Sequence, residues 1–217
     1  MAVVESAGLR QRLGQIVNEE FEIVHTLARS GDPASVEAIL DLLDNSAVFG
    51  PRIRAAAVEG LVDTLPAGVE VVLSRLARAP LSDAGGQCAY MLGELAYKQG
   101  EQRDVRIVPA LLTALDIALR DGTGAAMPFV NGLRECVRGG GMAEITPRFL
   151  AVLLQARSER YPEVGTILGA LEALLDNEGE AIFAELQKLR EGRAEDDLFA
   201  GTVNEFLRDH LAQASKA

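Results

Sequence analysis

Val36-Glu37-Ala38-Ile39-Leu40-Asp41-Leu42-Leu43 decides the fold, because the chain repeats its skeleton. Val69-Glu70-Val71-Val72-Leu73-Ser74-Arg75-Leu76 and Val108-Pro109-Ala110-Leu111-Leu112-Thr113-Ala114-Leu115 carry the same pattern. Each has an opening residue, Leu four later, and Leu seven later. Thr146 and Ile182 open it again, and Leu9 opens a weaker version. The starts at 9, 36, 69, 108, 146 and 182 lie 27, 33, 39, 38 and 36 residues apart. Apolar residues four and seven apart share one face of a helix. Recurrence at this period marks an array of helical repeats. The expected fold is all-α: an α-solenoid of about six stacked helix hairpins, forming a single domain over 1–217.

Breakers between the skeletons place the helix ends. Residues 1–31 read as an N-terminal capping pair, 32–190 as the repeats, and 191–217 as a C-terminal capping helix and tail. Asp32 can cap the helix that Pro33 opens, since Pro needs no N–H in the first turn. Thr146 with Pro147 suggests the same device. Pro66-Ala67-Gly68 is expected to end a helix that begins at Pro51. Pro128 either starts or kinks its helix, and Gly139-Gly140-Gly141 reads as a turn between repeats.

The second helix of each pair repeats as well. Gly60, Gly93, Gly132 and Gly169 fall 23 or 24 residues after their starts, and Glu205 takes that place in the last unit. Two residues earlier stand Val58, Met91, Val130, Ile167 and Val203. A glycine within a helix costs about 1 kcal/mol relative to Ala. A column of them suggests backbones that pass too close for a side chain.

The run Asp44…Pro51-Arg52-Ile53-Arg54-Ala55-Ala56-Ala57-Val58-Glu59-Gly60-Leu61 resembles a HEAT repeat. Asp44 in the turn, Arg54 at the head of the second helix and Ala55 to Ala57 carry the likeness. Later units keep the apolar skeleton and have Gln87, Ala126 and Glu163 in place of the Arg. The resemblance implies a right-handed stack of hairpins whose second helices line a concave surface. Members of that family mostly bind proteins. A few HEAT-like proteins are enzymes, including some alkyl-DNA glycosylases and phycobilin lyase subunits.

Composition narrows the function. The net charge of −11 and the absence of Trp disfavour a phosphate backbone, and with it a DNA glycosylase. The same charge is unsuited to an anionic membrane surface, and no apolar run reaches the ~18 residues of a spanning helix. The start of the chain lacks the pattern of a signal peptide, and two lone cysteines make a disulfide scaffold improbable, so a cytoplasmic protein is expected. His25 and His210 stand in the first and last units. Cys88 and Cys136 fall within helices, as buried, inert thiols would. No catalytic residue, metal ligand set or cofactor motif emerges.

What remains is a surface. Around the glycine column, one helix face gathers Glu59, Asp63, Glu94, Asn131, Glu135 and Glu172, because positions four apart are neighbours. Tyr90 and Tyr97, seven apart, add residues common in binding surfaces. These eight are the candidate partner-binding residues, and Asp63, Glu135 and Glu172 among them are expected to be exposed. The expected function is a non-enzymatic interaction module that holds a basic protein partner on an acidic concave face. The alternative is a HEAT-like enzyme subunit such as a phycobilin lyase component.

Overall fold

Asp32 fixes where the helix opened by Pro33 begins. One of its carboxylate oxygens accepts from the backbone N–H groups of Ala34 and Ser35, and the other from the hydroxyls of Ser30 and Ser35. These bonds, first from the Ser35 hydroxyl and then from Ser30, hold its pKa down at about 2. Helix α1 follows as Pro33–Asp44 and buries Val36, Ile39, Leu40 and Leu43 along one stripe. The expected cap and the expected Pro at the first helical position are both present.

The computed structural model describes residues 19, 21–27, 29–30, 32–44, 51–138, 145–159, 162–191 and 198–214. Among them the regular structure is entirely helical, with no strand. The glycine run at 139–141 lies outside the described residues. The chain forms two compact units, Met1–Met91 and Leu92–Ala217.

In the first unit, α2 runs without interruption over Pro51–Arg78. The expected break at 66–68 does not occur. Proline withholds one hydrogen bond and often bends a helix rather than ending it. Gly68 serves as a contact point instead of a terminator: a Cβ there would lie 2.8 Å from the Val36 side chain. The missing side chain lets α2 lie close against α1. Helix α3, Asp83–Gln99, starts after a turn in which the Ser82 hydroxyl accepts from the Gly85 N–H at 3.0 Å. Its first half belongs to this unit.

A buried guanidinium ties these helices together. Arg75 of α2, with its side chain 12% exposed, reaches Asp41 at 2.5 Å, Asp44 at 2.7 Å and Glu37 at 3.4 Å on α1. Burial works against its charge, and the hydrogen bond to Asp41 with the nearby Asp44 and Glu37 outweighs that cost. The second oxygen of Asp44 accepts from the Ala84 N–H at 3.0 Å, in the first turn of α3. Asp44, expected as the turn carboxylate of a HEAT-like unit, thus joins three helices.

The second unit holds the rest of α3, a 3-10 turn at Gly100–Gln102, α4 (Ile107–Ala118) and α5 (Thr123–Arg138). It continues with α6 (Thr146–Glu159), α7 (Pro162–Glu172), α8 (Leu175–Arg190) and α9 (Leu198–Ala214). Consecutive helices pair as α4 with α5, α6 with α7, and α8 with α9. Beyond the pairs, α5 packs on α7, α7 on α9, and α6 on α8. Arg148 bridges to Asp116 at 3.1 Å, and the Gln155 amide donates to the Leu119 carbonyl at 2.8 Å, so α6 also touches α4. Successive hairpins also touch through unlike helices, α5 with α6 and α7 with α8.

Pro128 lies inside α5, which starts five residues earlier at Thr123. In α8 the backbone at Glu178 leaves helical geometry, so a kink precedes the segment that carries the skeleton from Ile182. Thr146 opens α6, but its buried hydroxyl has no hydrogen-bond partner; the Ile145 carbonyl instead accepts from Arg148 and Phe149. The expected Thr146 cap is not made.

In three of the described first helices the core column sits one residue before the skeleton's Leu, while Leu40 and Leu186 are themselves fully buried. Ile39, Val72, Leu111 and Phe149 are all fully buried, whereas Leu73, Leu112 and Leu150 are half-buried. In the second helices, Met91, Val130, Ile167 and Val203 are fully buried, as their periodicity predicts. The glycine column acts as expected at one crossing. A Cβ on Gly93 would lie 2.5 Å from the Gly132 carbonyl oxygen and 2.8 Å from its Cα. Gly169 has open space at the same position.

Candidate functional site

Whether the eight candidate residues form a surface depends on what each helix buries. On α2, Glu59 and Asp63 are exposed, one turn apart. Because α2 is continuous, the same line extends to Glu70 and Ser74, also exposed. At ~1.5 Å per residue, Glu59, Asp63 and Glu70 span about 16 Å of helix. Tyr90 is 44% exposed on the first half of α3. The line becomes visible in the sequence once Pro66 is read as interior to the helix.

Beside Glu70 an open groove of about 380 Å³ separates α1 from α2. Pro33, Ala34 and Val71 give it an apolar lining, and Glu37, Ser74 and Arg78 complete its walls. Arg78 pairs with Glu37 at 2.6 Å, so the rim at that point is electrically balanced. Sequence reasoning missed this groove, because it arises from the approach of two helices and from no motif.

In the second unit the acidic reading needs correction. Glu135 was expected to be exposed and is 7% exposed. Arg134 holds one of its oxygens at 3.1 Å and Arg138 the other at 3.0 Å. Arg138 also lies over the Tyr97 ring, 5.5 Å from its centroid. Arg103 donates to the Cys136 carbonyl near the end of α5. Cations at a helix C-terminus meet the negative end of its dipole. Tyr97, 46% exposed, and Glu135 are therefore brought together, but around guanidinium groups rather than in an acidic stripe.

Glu94 and Asn131 are half-buried, and Glu172 is exposed on α7. Glu172 faces His210 of α9 at 3.8 Å, and His210 packs on Phe206 at 4.5 Å. In the first unit His25 stacks on Phe21 at 5.9 Å. Both histidines thus pack against aromatic rings. Where α3 should continue the face of Glu59 and Asp63, it places Leu92 and Ala96, both fully buried. Of the eight candidates, Glu94, Asn131 and Glu135 are not exposed.

Among the described residues, Cys88 and Cys136 are both fully buried. Burial pushes both thiols, Cys88 and Cys136, up to about 12. No group of three His, Cys, Asp or Glu side chains there is arranged to hold a metal ion. No described helix is long and apolar enough to cross a membrane. No family model, curated protein or solved structure matches the chain.

Proposed function

We propose that this chain is a non-enzymatic protein-interaction module, an α-solenoid of HEAT-like hairpins that holds a basic segment of a protein partner. The observation that carries the reading is the exposure of Glu59, Asp63 and Tyr90 on helices whose opposite faces are tightly packed. Like-on-like packing of α5, α7 and α9 supports the solenoid part of the proposal. Stacked repeats give an extended surface that needs no chemistry of its own. A net charge of −11 favours a basic partner through faster, salt-sensitive encounter.

The test uses a partner captured from extract of the source cell and then purified. Its association with the wild-type chain is compared with a Glu59→Lys, Asp63→Lys, Glu172→Lys variant by surface plasmon resonance. Reversal at these sites should slow association about tenfold and flatten its salt dependence. Glu180, Glu191 and Glu205, all exposed, supply a control of equal charge change. Equal loss in both variants would reduce the effect to bulk charge and defeat the proposal.

A further inference from the structure

The groove between α1 and α2 stands directly beside the carboxylate line of α2, and Glu70 belongs to both. We infer that the groove is the anchor point for the basic partner segment, an inference that rests on the interaction reading above. One apolar side chain of the partner enters between Pro33, Ala34 and Val71. Lysines or arginines beside it run along Glu70, Asp63 and Glu59.

Three features select this occupant. The lining is mainly apolar, and a volume of about 380 Å³ falls in the lower part of the roughly 300–1,000 Å³ range of ligand pockets, so it suits one large side chain. The only described cation in the walls, Arg78, is already opposed by Glu37. Outward along the helix, Glu70, Asp63 and Glu59 add three carboxylates. Nucleic acid is repelled by that line, and so is a second copy of a chain carrying −11. An apolar anchor in a pocket with charges outside it is also the arrangement that concentrates binding energy at protein interfaces.

Fluorescence anisotropy with two labelled twelve-residue peptides tests this. Both are lysine-rich; one has a central Leu and the other a central Gly. The wild-type chain should bind the Leu peptide at least fivefold more tightly. Ser74→Trp, which fills the groove from an exposed position, should abolish that preference. Ala34→Trp fills it from α1 and should do the same, with circular dichroism confirming that both variants fold. Glu59→Gln, Asp63→Gln, Glu70→Gln should weaken both peptides about tenfold. If the wild-type chain binds both peptides equally, or if both Trp variants keep the preference, the groove is not the anchor, and the broader reading stands. If neither peptide binds even at low salt, the basic-partner reading itself fails.

Discussion

Single side chains in this protein separate sharply by their neighbours. Leu111 is fully buried and Leu112, the next residue, is half-buried. Leu111→Ala should cost about 2–5 kcal/mol, as for other large-to-small core changes, and Leu112→Ala clearly less, measured by urea denaturation. Equal costs would place the core column wrongly. Glycine positions divide in the same way. A Cβ at Gly165 or Gly201 meets nothing within 4 Å, so Gly165→Ala and Gly201→Ala should each stabilise the chain by about 0.5–1 kcal/mol. Gly93→Ala must displace the Gly132 backbone and should lower the melting temperature by several degrees. The two thiols, with pKa values raised to about 12, should resist Ellman's reagent in the folded chain and react when urea unfolds it.

Helix ends obey rules that were largely readable in advance, with instructive exceptions. The Asp32-Pro33 start is local chemistry, so spacing sufficed to find it. The pKa of Asp32 is depressed from 3.8 to about 2 on folding, so its contribution is present above pH 4 and is lost as pH falls toward 2. Asp32→Ala should reduce stability at neutral pH and flatten the acid limb of a melting-temperature profile between pH 4 and pH 2. An unchanged acid limb would rule the cap out as its cause. Pro66-Ala67-Gly68 was misread because a breaker signal is local, while the close approach of Gly68 to Val36, 32 residues earlier, is a tertiary contact that spacing does not show. Thr146 failed for a related reason: the residue type fits a cap, but its hydroxyl is buried without a partner. The skeleton located the helices; its Leu is fully buried at Leu40 and Leu186 and half-buried at Leu73, Leu112 and Leu150, where the preceding residue lies deeper, since a helical stripe is wide enough to hold both columns.

At the scale of the chain, helical class was legible from periodicity, and the pairing of consecutive helices followed from their short connections. The candidate surface was legible only in pieces. Asp63 is exposed as its position suggested; the Glu135–Arg138 pair follows the i,i+3 rule, whereas the closure of the adjacent Arg134 over the same carboxylate has no such signal. Charge remains the most transferable whole-chain property. With −11, binding to duplex or single-stranded DNA at physiological salt should be weaker than micromolar in an electrophoretic shift assay. Sub-micromolar binding would revive the glycosylase likeness.

Asp44 has a consequence for how the first unit opens. Its carboxylate takes the Ala84 N–H, an amide in the first turn of α3 that the helix itself leaves without a partner. Exchange of that one amide with solvent deuterium should therefore follow release of the Asp44 end of α1, although Ala84 lies 40 residues further along the chain. Local openings have their own free energies, and exchange reads them site by site. The Ala84 amide becomes a single-proton gauge of whether α1 is in place. Asp44→Asn should retain partial protection there, whereas Asp44→Ala should release it while amides deep in α3 stay slow.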